Sequence, residues 1–313
     1  MAADKVLVTG GAGFIGSHVV DLLLSGGYKV AIVDSLVSGK RENVNPEAKF
    51  FDIDIRDPRL GRIFHEERPR YLCHYAAQPS ISKSTREPVQ DADVNLLGSL
   101  HLLELCRQHE VEKFIYISSG GAIYGEPQSL PCPEDHALRP ASPYGASKLA
   151  VESYLSIFRQ LWGLKYTTLR YGNVYGPRQD PEGEAGVVAI FVGQMLRGEQ
   201  VTINGTGEQQ RDFVYVGDAV NANLLCLEAG DGEAYNIGSG VGTSVNIIFD
   251  HLKRLTGYQR EPYFGRPLEG EVFRTYLDVA KAERGLGWKP QVALGEGLAL
   301  TVDHLRAELQ VAR

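Results

Sequence analysis

Along the first half of the chain, apolar runs of four to seven residues alternate with longer stretches whose apolar positions recur every three or four residues. KVLVTG (5–10), YKVAIVD (28–34), KFFDID (49–54), YLCHYA (71–76), KFIYISS (113–119) and KYTTLRYG (165–172) read as buried strands. FIGSHVVDLLLSGG (14–27), VNLLGSLHLLELC (94–106) and YGASKLAVESYLSIF (144–158) read as helices between them. Strands and helices in this alternation build βαβ units, so the pattern predicts an α/β fold with a doubly wound parallel sheet covered on both faces.

After about residue 172 the rhythm loosens. A Gly- and Pro-rich stretch, GPRQDPEGEAG (176–186), precedes a helix-like VVAIFVGQMLRG and short strands such as QVTING and DFVYVGD. Two later helices are predicted, VNIIFDHLKRLTG (245–257) and GEGLALTVDHLRAEL (295–309). The expected organisation is a cofactor domain over 1–172 and a smaller mixed α/β substrate domain over 173–313, with some later segments returning to the first. No internal repeat or low-complexity tract interrupts this reading.

Composition narrows the class. With 313 residues there is ample length for a buried core, and 39 acidic against 32 basic residues, without a basic run, argue against a nucleic-acid partner. Cys73, Cys106, Cys132 and Cys226 are widely spaced, as expected of reduced thiols, mostly buried, in a cytoplasmic protein. MAADKVLVTGG enters a strand almost at once, and no segment nears the roughly 20 apolar residues of a membrane span. A soluble cytoplasmic protein without a membrane partner is expected.

VLVTGGAGFIGSH carries the first candidate chemistry. Gly10, Gly13 and Gly16 recur every third residue between a strand and a helix that opens with Phe14 and Ile15. Glycine allows the tight turn, the close approach of backbone to a pyrophosphate and the packing of helix on strand, while the helix N-terminus offers free N–H groups to the anion. Three glycines alone are weak, but their context is that of a Rossmann dinucleotide turn. Asp34 ends the second strand, where a carboxylate accepts from an adenosine ribose and repels a 2′-phosphate, favouring NAD over NADP.

SPYGASK carries the second. Ser142 can cap a helix with Pro143 in its first turn, and Tyr144 and Lys148, four residues apart, then share one face. A Tyr-x-x-x-Lys spacing is nearly expected by chance in a chain with 15 tyrosines, yet it occurs only here and follows the fifth predicted strand. An adjacent ammonium and a positively charged nicotinamide would both favour phenolate, making Tyr144 a base for an alcohol proton.

Taken together, TGGAGFIG, Asp34, AAQ (76–78), Asn95 in DVNLLGSL, YGASK, LRYGNVYGP, RDFVYVGD and LDVAKAERGLGW resemble the extended short-chain dehydrogenase/reductase family of nucleotide-sugar enzymes, and within it the UDP-hexose 4-epimerases, over residues 5 to about 310. The resemblance implies a tightly held NAD, without metal, that removes hydride from C4 of a UDP-hexose such as UDP-glucose or UDP-galactose and returns it to the other face of a 4-keto sugar. It implies cofactor contacts from Asp34, Ser35, Ser38, Gly39, Asp54, Ile55, Ala76, Ala77, Gln78, Asn95 and Tyr171, besides the glycine turn, Tyr144 and Lys148. It places Asn173 and Arg211 on the nucleotide diphosphate, where a guanidinium fork suits the charge. A homodimer through helices 94–109 and 144–162 is implied as well.

Four departures from the family pattern bear on activity. Counting back from Tyr124-Gly125 in SSGGAIYG, the family hydroxyl falls at Gly120; Ser119 or Ser118 would have to supply it, helped by the permissive backbone of Gly120 and Gly121. The acids that related dehydratases and decarboxylases carry next are replaced by Gly121 and Ala122, which disfavours those activities. In RPLEGE (266–271) Leu268 stands where an Arg is common, leaving Arg266 or Arg274 to complete the diphosphate clamp. Thr275 is small where some epimerases have a bulky side chain, leaving room for a 2-acetamido group. Alternatives are a nucleotide-sugar dehydratase or decarboxylase, a net dehydrogenase, or a non-catalytic dinucleotide-binding protein.

Overall fold

The computed structural model describes residues 4–182, 186–267 and 272–311. Its centre is a seven-stranded parallel sheet in the order β10-β6-β5-β4-β1-β2-β3, formed by β1 (Lys5–Thr9), β2 (Lys29–Asp34), β3 (Lys49–Asp52), β4 (Tyr71–His74), β5 (Lys113–Ser119), β6 (Lys165–Tyr171) and β10 (Glu233–Ile237). The strands are apolar almost throughout because both faces are covered. On one face α1 (Phe14–Ser25) and α8 (Val216–Glu228) close a core with Val19, Leu23, Ile115, Leu169 and Ile237. On the other, α2 (Leu60–Glu67), α5 (Gly98–Gln108) and α6 (Pro143–Trp162) pack over Leu7, Leu72, Phe114 and Tyr116. Strand order reverses between β1 and β4, so a crevice opens beyond their C-terminal ends, where α/β sheets bind ligands.

Two short helices, α3 (Ile81–Arg86) and α4 (Pro88–Ala92), and one π-turn over Asp93–Leu97 lead into α5. The remaining chain forms a smaller lobe. β7 (Asn173–Tyr175), β9 (Gln210–Tyr215) and β11 (Gly242–Ser244) make a three-stranded sheet, and β8 (Thr202–Asn204) pairs with β12 (Tyr263–Gly265). α7 (Val187–Arg197), α9 (Val245–Thr256) and α11 (Leu294–Val311) bury Val192, Ile248, Leu252 and Leu298 beneath these sheets, and α10 (Ala280–Leu286) packs back toward the first lobe.

Two segments of the later chain therefore belong to the central sandwich, β10 as its edge strand and α8 across α1. The sequence pattern predicts no helix at α8. Eight of its 13 residues are buried, so its apolar positions lie all round and lack the one-sided period that marks a surface helix. Among the described residues, no helix is long and apolar enough to cross a membrane, no cluster of side chains could hold a metal ion, and all four cysteines are buried and free.

Candidate active site

Two glycines of the turn, Gly10 and Gly16, sit at contacts that tolerate no side chain. Gly10 sits at φ +71°, and a Cβ there would lie 2.5 Å from the backbone nitrogen of Ala76. A Cβ on Gly16 would lie 2.1 Å from the Gly10 carbonyl oxygen, so α1 approaches β1 as closely as backbone permits. Gly13 is the N-cap of α1 and offers no side chain to its first N–H groups. Phe14 and Ile15 therefore begin a helix whose first N–H groups suit an anion. These features fit a dinucleotide pyrophosphate.

Asp34, nearly buried, accepts from the backbone N–H of Ala12 (3.0 Å) and of Leu36 (2.8 Å). A Cβ on Gly39 would meet its carboxylate at 2.8 Å, and the Lys40 N–H donates to the Ala12 carbonyl at 2.9 Å. Asp34 thus ties the glycine turn to the loop carrying Ser35 and Ser38, a bracing role its position at a strand end did not reveal. Ser35 is partly exposed and Ser38 exposed, at the rim of this loop. Asp54 is held by Arg56 through its main-chain N–H and its guanidinium, which keep the carboxyl below the usual range, and Ile55 is buried beside it.

Ala76, Ala77 and Gln78 leave β4 on the opposite wall. Buried Asn95, in the π-turn, accepts from the Gln78 N–H (2.8 Å) and donates to the Gln78 carbonyl (2.9 Å), so it seats this loop. His74 beneath it bridges Thr9 (2.7 Å) and Ser99 (2.9 Å), and burial pushes its pKa down to about 3, leaving a neutral link between β1, β4 and α5.

Ser142 caps α6 through the N–H of Gly145 (3.2 Å), and Pro143 follows, as the sequence suggested. Tyr144 and Lys148 face the end of β5. The Tyr144 phenol lies near the Ser119 hydroxyl, which favours its ionised form, but burial outweighs this and pushes its pKa up to about 12. The Lys148 ammonium donates to the Ile117 carbonyl (2.8 Å), lies 5.8 Å from the Tyr144 ring centre, and is pushed down to about 8 by burial. The expected lowering of the phenol is therefore not achieved by the protein's own groups, because desolvation is the larger effect.

Of the two candidate serines, Ser119 reaches Tyr144, whereas the Ser118 hydroxyl is buried without a partner. A Cβ on Gly120 would lie 2.7 Å from one methyl carbon of Leu277 and 2.9 Å from the other. Leu277 thus fills the space a side chain at 120 would take. Gly121 is open in front: a Cβ there would lie 3.9 Å from Asn173 Oδ1 and 4.0 Å from Ser119 Oγ. Asn173 and Ser119 therefore flank the same free space.

Tyr171 departs from expectation. Its phenol meets Tyr75 (3.0 Å), the Ala219 carbonyl (3.1 Å) and Asn223 (2.7 Å) in the core beneath α8, leaving only its backbone near the crevice. In the smaller lobe, Gln210 pairs with Arg274, and the Arg211 guanidinium donates to the Gln210 carbonyl (2.9 Å), so Arg211 and Arg274 are neighbours. Arg266 is exposed at the end of β12, and Leu268 lies outside the described residues. Thr275 is buried beside Arg274, its N–H bonded to the Gln210 carbonyl at 3.1 Å. Buried Asp212 accepts from Ser239, Gly240 and Leu277, fixing this strap against β9. Asp212 and Leu277 lie in the quoted motifs RDFVYVGD and LDVAKAERGLGW, but neither is assigned a site role from the sequence.

A doubly wound sheet with an uncapped glycine turn and a Ser–Tyr–Lys group at its C-terminal edge defines a dinucleotide-dependent enzyme of the short-chain dehydrogenase/reductase type. The chain belongs to the NAD dependent epimerase/dehydratase family, whose model matches residues 6–238. It is similar to a crystal structure of UDP-glucose 4-epimerase with UDP-glucose from Thermotoga maritima, with 55% identity, TM-score 0.96 and coverage of 97% of this chain and 99% of that one. A Thermus thermophilus UDP-glucose 4-epimerase in complex with NAD is 48% identical, with TM-score 0.92 and 96% and 99% of the two chains covered. The UDP-glucose 4-epimerase of Mycolicibacterium smegmatis is 43% identical over 312 residues, covering 98% of this chain and all of that one.

Proposed function

We propose that the protein interconverts C4 epimers of a UDP-hexose using bound NAD. The observation that carries this reading is the convergence of Tyr144, Ser119 and Lys148 at the C-terminal end of β5, in the sheet whose β1 leads into the glycine turn, with Gly121 and Ala122 following Ser119 in the chain instead of acids. NAD, when bound, accepts and returns the C4 hydride, and its oxidised ring adds a positive charge to the site. Tyr144 takes the C4 hydroxyl proton, assisted by Ser119, and gives it back to the carbonyl oxygen after the sugar has turned over. Lys148 stabilises the phenolate as a nearby cation. Asn173, Arg211 and Arg274 hold the diphosphate, so the 4-keto sugar rotates without leaving.

Incubating the purified protein with UDP-, GDP- and dTDP-sugars and resolving products by NMR and mass spectrometry tests the reading. C4 epimers of unchanged mass without net NADH are expected. A lighter product would mean elimination or decarboxylation, and free NADH a net dehydrogenase.

Buried Thr275 makes UDP-N-acetylglucosamine a second substrate of this reading. Thr275→Tyr is expected to lower kcat/KM for the acetamido sugar at least about tenfold more than for UDP-glucose. Equal losses for both would remove this role.

The reading includes a cytoplasmic homodimer. Four free, buried cysteines suit a reducing compartment. Tyr154, Ile157 and Leu161 form a stripe at helical spacing on α6, each at least 39% exposed, beside half-exposed Trp162. The Arg107 guanidinium lies 5.6 Å from the Trp162 ring and joins α5 to this face. Leu161→Asp is expected to give a monomer by light scattering; an unchanged mass would exclude the stripe as the interface.

A further inference from the structure

We propose that Asp91 is a positioning residue that keeps the Lys148 side chain in its cationic form and locks the start of α6 to the loop at Gln78. This rests on the reading above only in assigning Lys148 its task.

Asp91 lies in α4, 1% exposed, at the junction of three elements. One carboxylate oxygen accepts from the side-chain amides of Gln78 (3.0 Å) and Asn95 (2.9 Å), and the other from the hydroxyl of Ser147 (2.7 Å). All three donors are neutral, so they satisfy the lone pairs while leaving the negative charge in place. Ser147 immediately precedes Lys148 and lies in the turn after Tyr144. The same carboxylate thus holds the catalytic helix and, through Gln78 and Asn95, the wall of the cofactor crevice.

The charged and titratable groups shown to act on Lys148 or to lie near it come from α6, β5, β4 and α4. Tyr144 and Glu152 are one turn before and after it on α6, Tyr116 presents its ring at 5.1 Å from β5, His74 is neutral on β4, and Asp91 stands on α4. The two carboxylates both favour the ammonium, Asp91 more strongly. Glu152 is already paired with the Arg170 guanidinium (2.7 Å), both side chains being nearly buried. A paired carboxylate presents little net field, so the charge that offsets Lys148's desolvation comes mainly from Asp91. The Lys148 pKa of about 8 is the balance of burial against these carboxylates, so without Asp91 the ammonium would lose its proton at a lower pH.

Asp91→Asn tests this, because asparagine can accept from Gln78 and Asn95 and donate to Ser147, whose hydroxyl also accepts. The measurement is the ¹³Cε titration of Lys148 in lysine-labelled protein with its NAD bound, assigned by the signal lost in Lys148→Met. The midpoint is expected to fall by roughly one pH unit in Asp91→Asn, and by less in Glu152→Gln. The alkaline limb of kcat should move the same way. Superimposed titrations for wild type and Asp91→Asn overturn the proposal, whether or not any sugar is turned over. Absence of turnover by wild type bears instead on the proposed function. If Asp91→Asn does not fold, Ser147→Ala and Asp91→Glu still decide: both keep the charge and should leave the midpoint near wild type. A full-unit fall in either would assign the effect to packing and overturn it.

Discussion

Tyr144→Phe is expected to lower kcat by about 10²–10⁴-fold while leaving the bound NAD and the affinity for UDP unchanged. Phenylalanine occupies the same cavity and removes one oxygen, which lies near the Ser119 hydroxyl. The ring that lies 5.8 Å from the Lys148 ammonium remains, so the lysine keeps both this contact and its bond to the Ile117 carbonyl. What disappears is the group that the proposed function assigns to the alcohol proton. A phenol pushed up to about 12 by burial is ionised to roughly 10⁻⁵ at pH 7, so it works as a base only while cations stand against it. Ser119→Ala should therefore cost less, roughly tenfold, because it removes one stabilising bond and not the base. The checks are stopped-flow or NMR turnover, NAD released on denaturation, and UDP titration calorimetry. A Tyr144→Phe enzyme with near wild-type kcat would exclude Tyr144 from proton transfer and with it the proposed mechanism.

The features legible in the sequence are those whose physics is local. A glycine every third residue between strand and helix, a capped helix with Tyr and Lys four apart, and an alternation of strand and helix periods depend on chain geometry over a dozen residues. The structure brings these together at one sheet edge. What the sequence hid depends on chain segments far apart meeting. Leu277 lies over Gly120 across more than 150 positions, and this contact, not the flexibility of two glycines alone, explains why position 120 carries no side chain and why Ser119 is the serine that meets Tyr144. Asp91 reads as one acid in a polar stretch; only folding sets it beside Ser147. Tyr171 differs the other way. It stands in a motif, LRYGNVYGP, whose Asn173 faces the space at Gly121, but its own side chain turns into the core toward Asn223. Burial was likewise invisible, and with it the direction of the Tyr144 shift.

Gly16→Ala carries the second large effect, and the expected result is a chain that purifies with little or no NAD. The added methyl would lie 2.1 Å from the Gly10 carbonyl oxygen and 2.9 Å from its carbonyl carbon. Both are backbone atoms, and Gly10 is fixed in turn: its N–H donates to the Val33 carbonyl at 2.8 Å and its α-carbon faces Ala76. The clash cannot be relieved by a rotamer change, so α1 must withdraw from β1. Overpacking of this kind costs about 1–3 kcal/mol in a well-packed core, which a chain of this size can survive. The same withdrawal removes the helix N-terminus from the place a pyrophosphate must occupy, and there the tolerance is far smaller. Gly13→Ala separates the two effects, since its methyl would meet the Gly10 oxygen at 3.2 Å with no other close contact. It should melt near the wild-type temperature in the absence of cofactor, whereas Gly16→Ala should melt several degrees lower and gain no stability from added NAD. Full NAD content in purified Gly16→Ala would mean that the cofactor is not held at this turn, and the assignment of the crevice between β1 and β4 would fall with it.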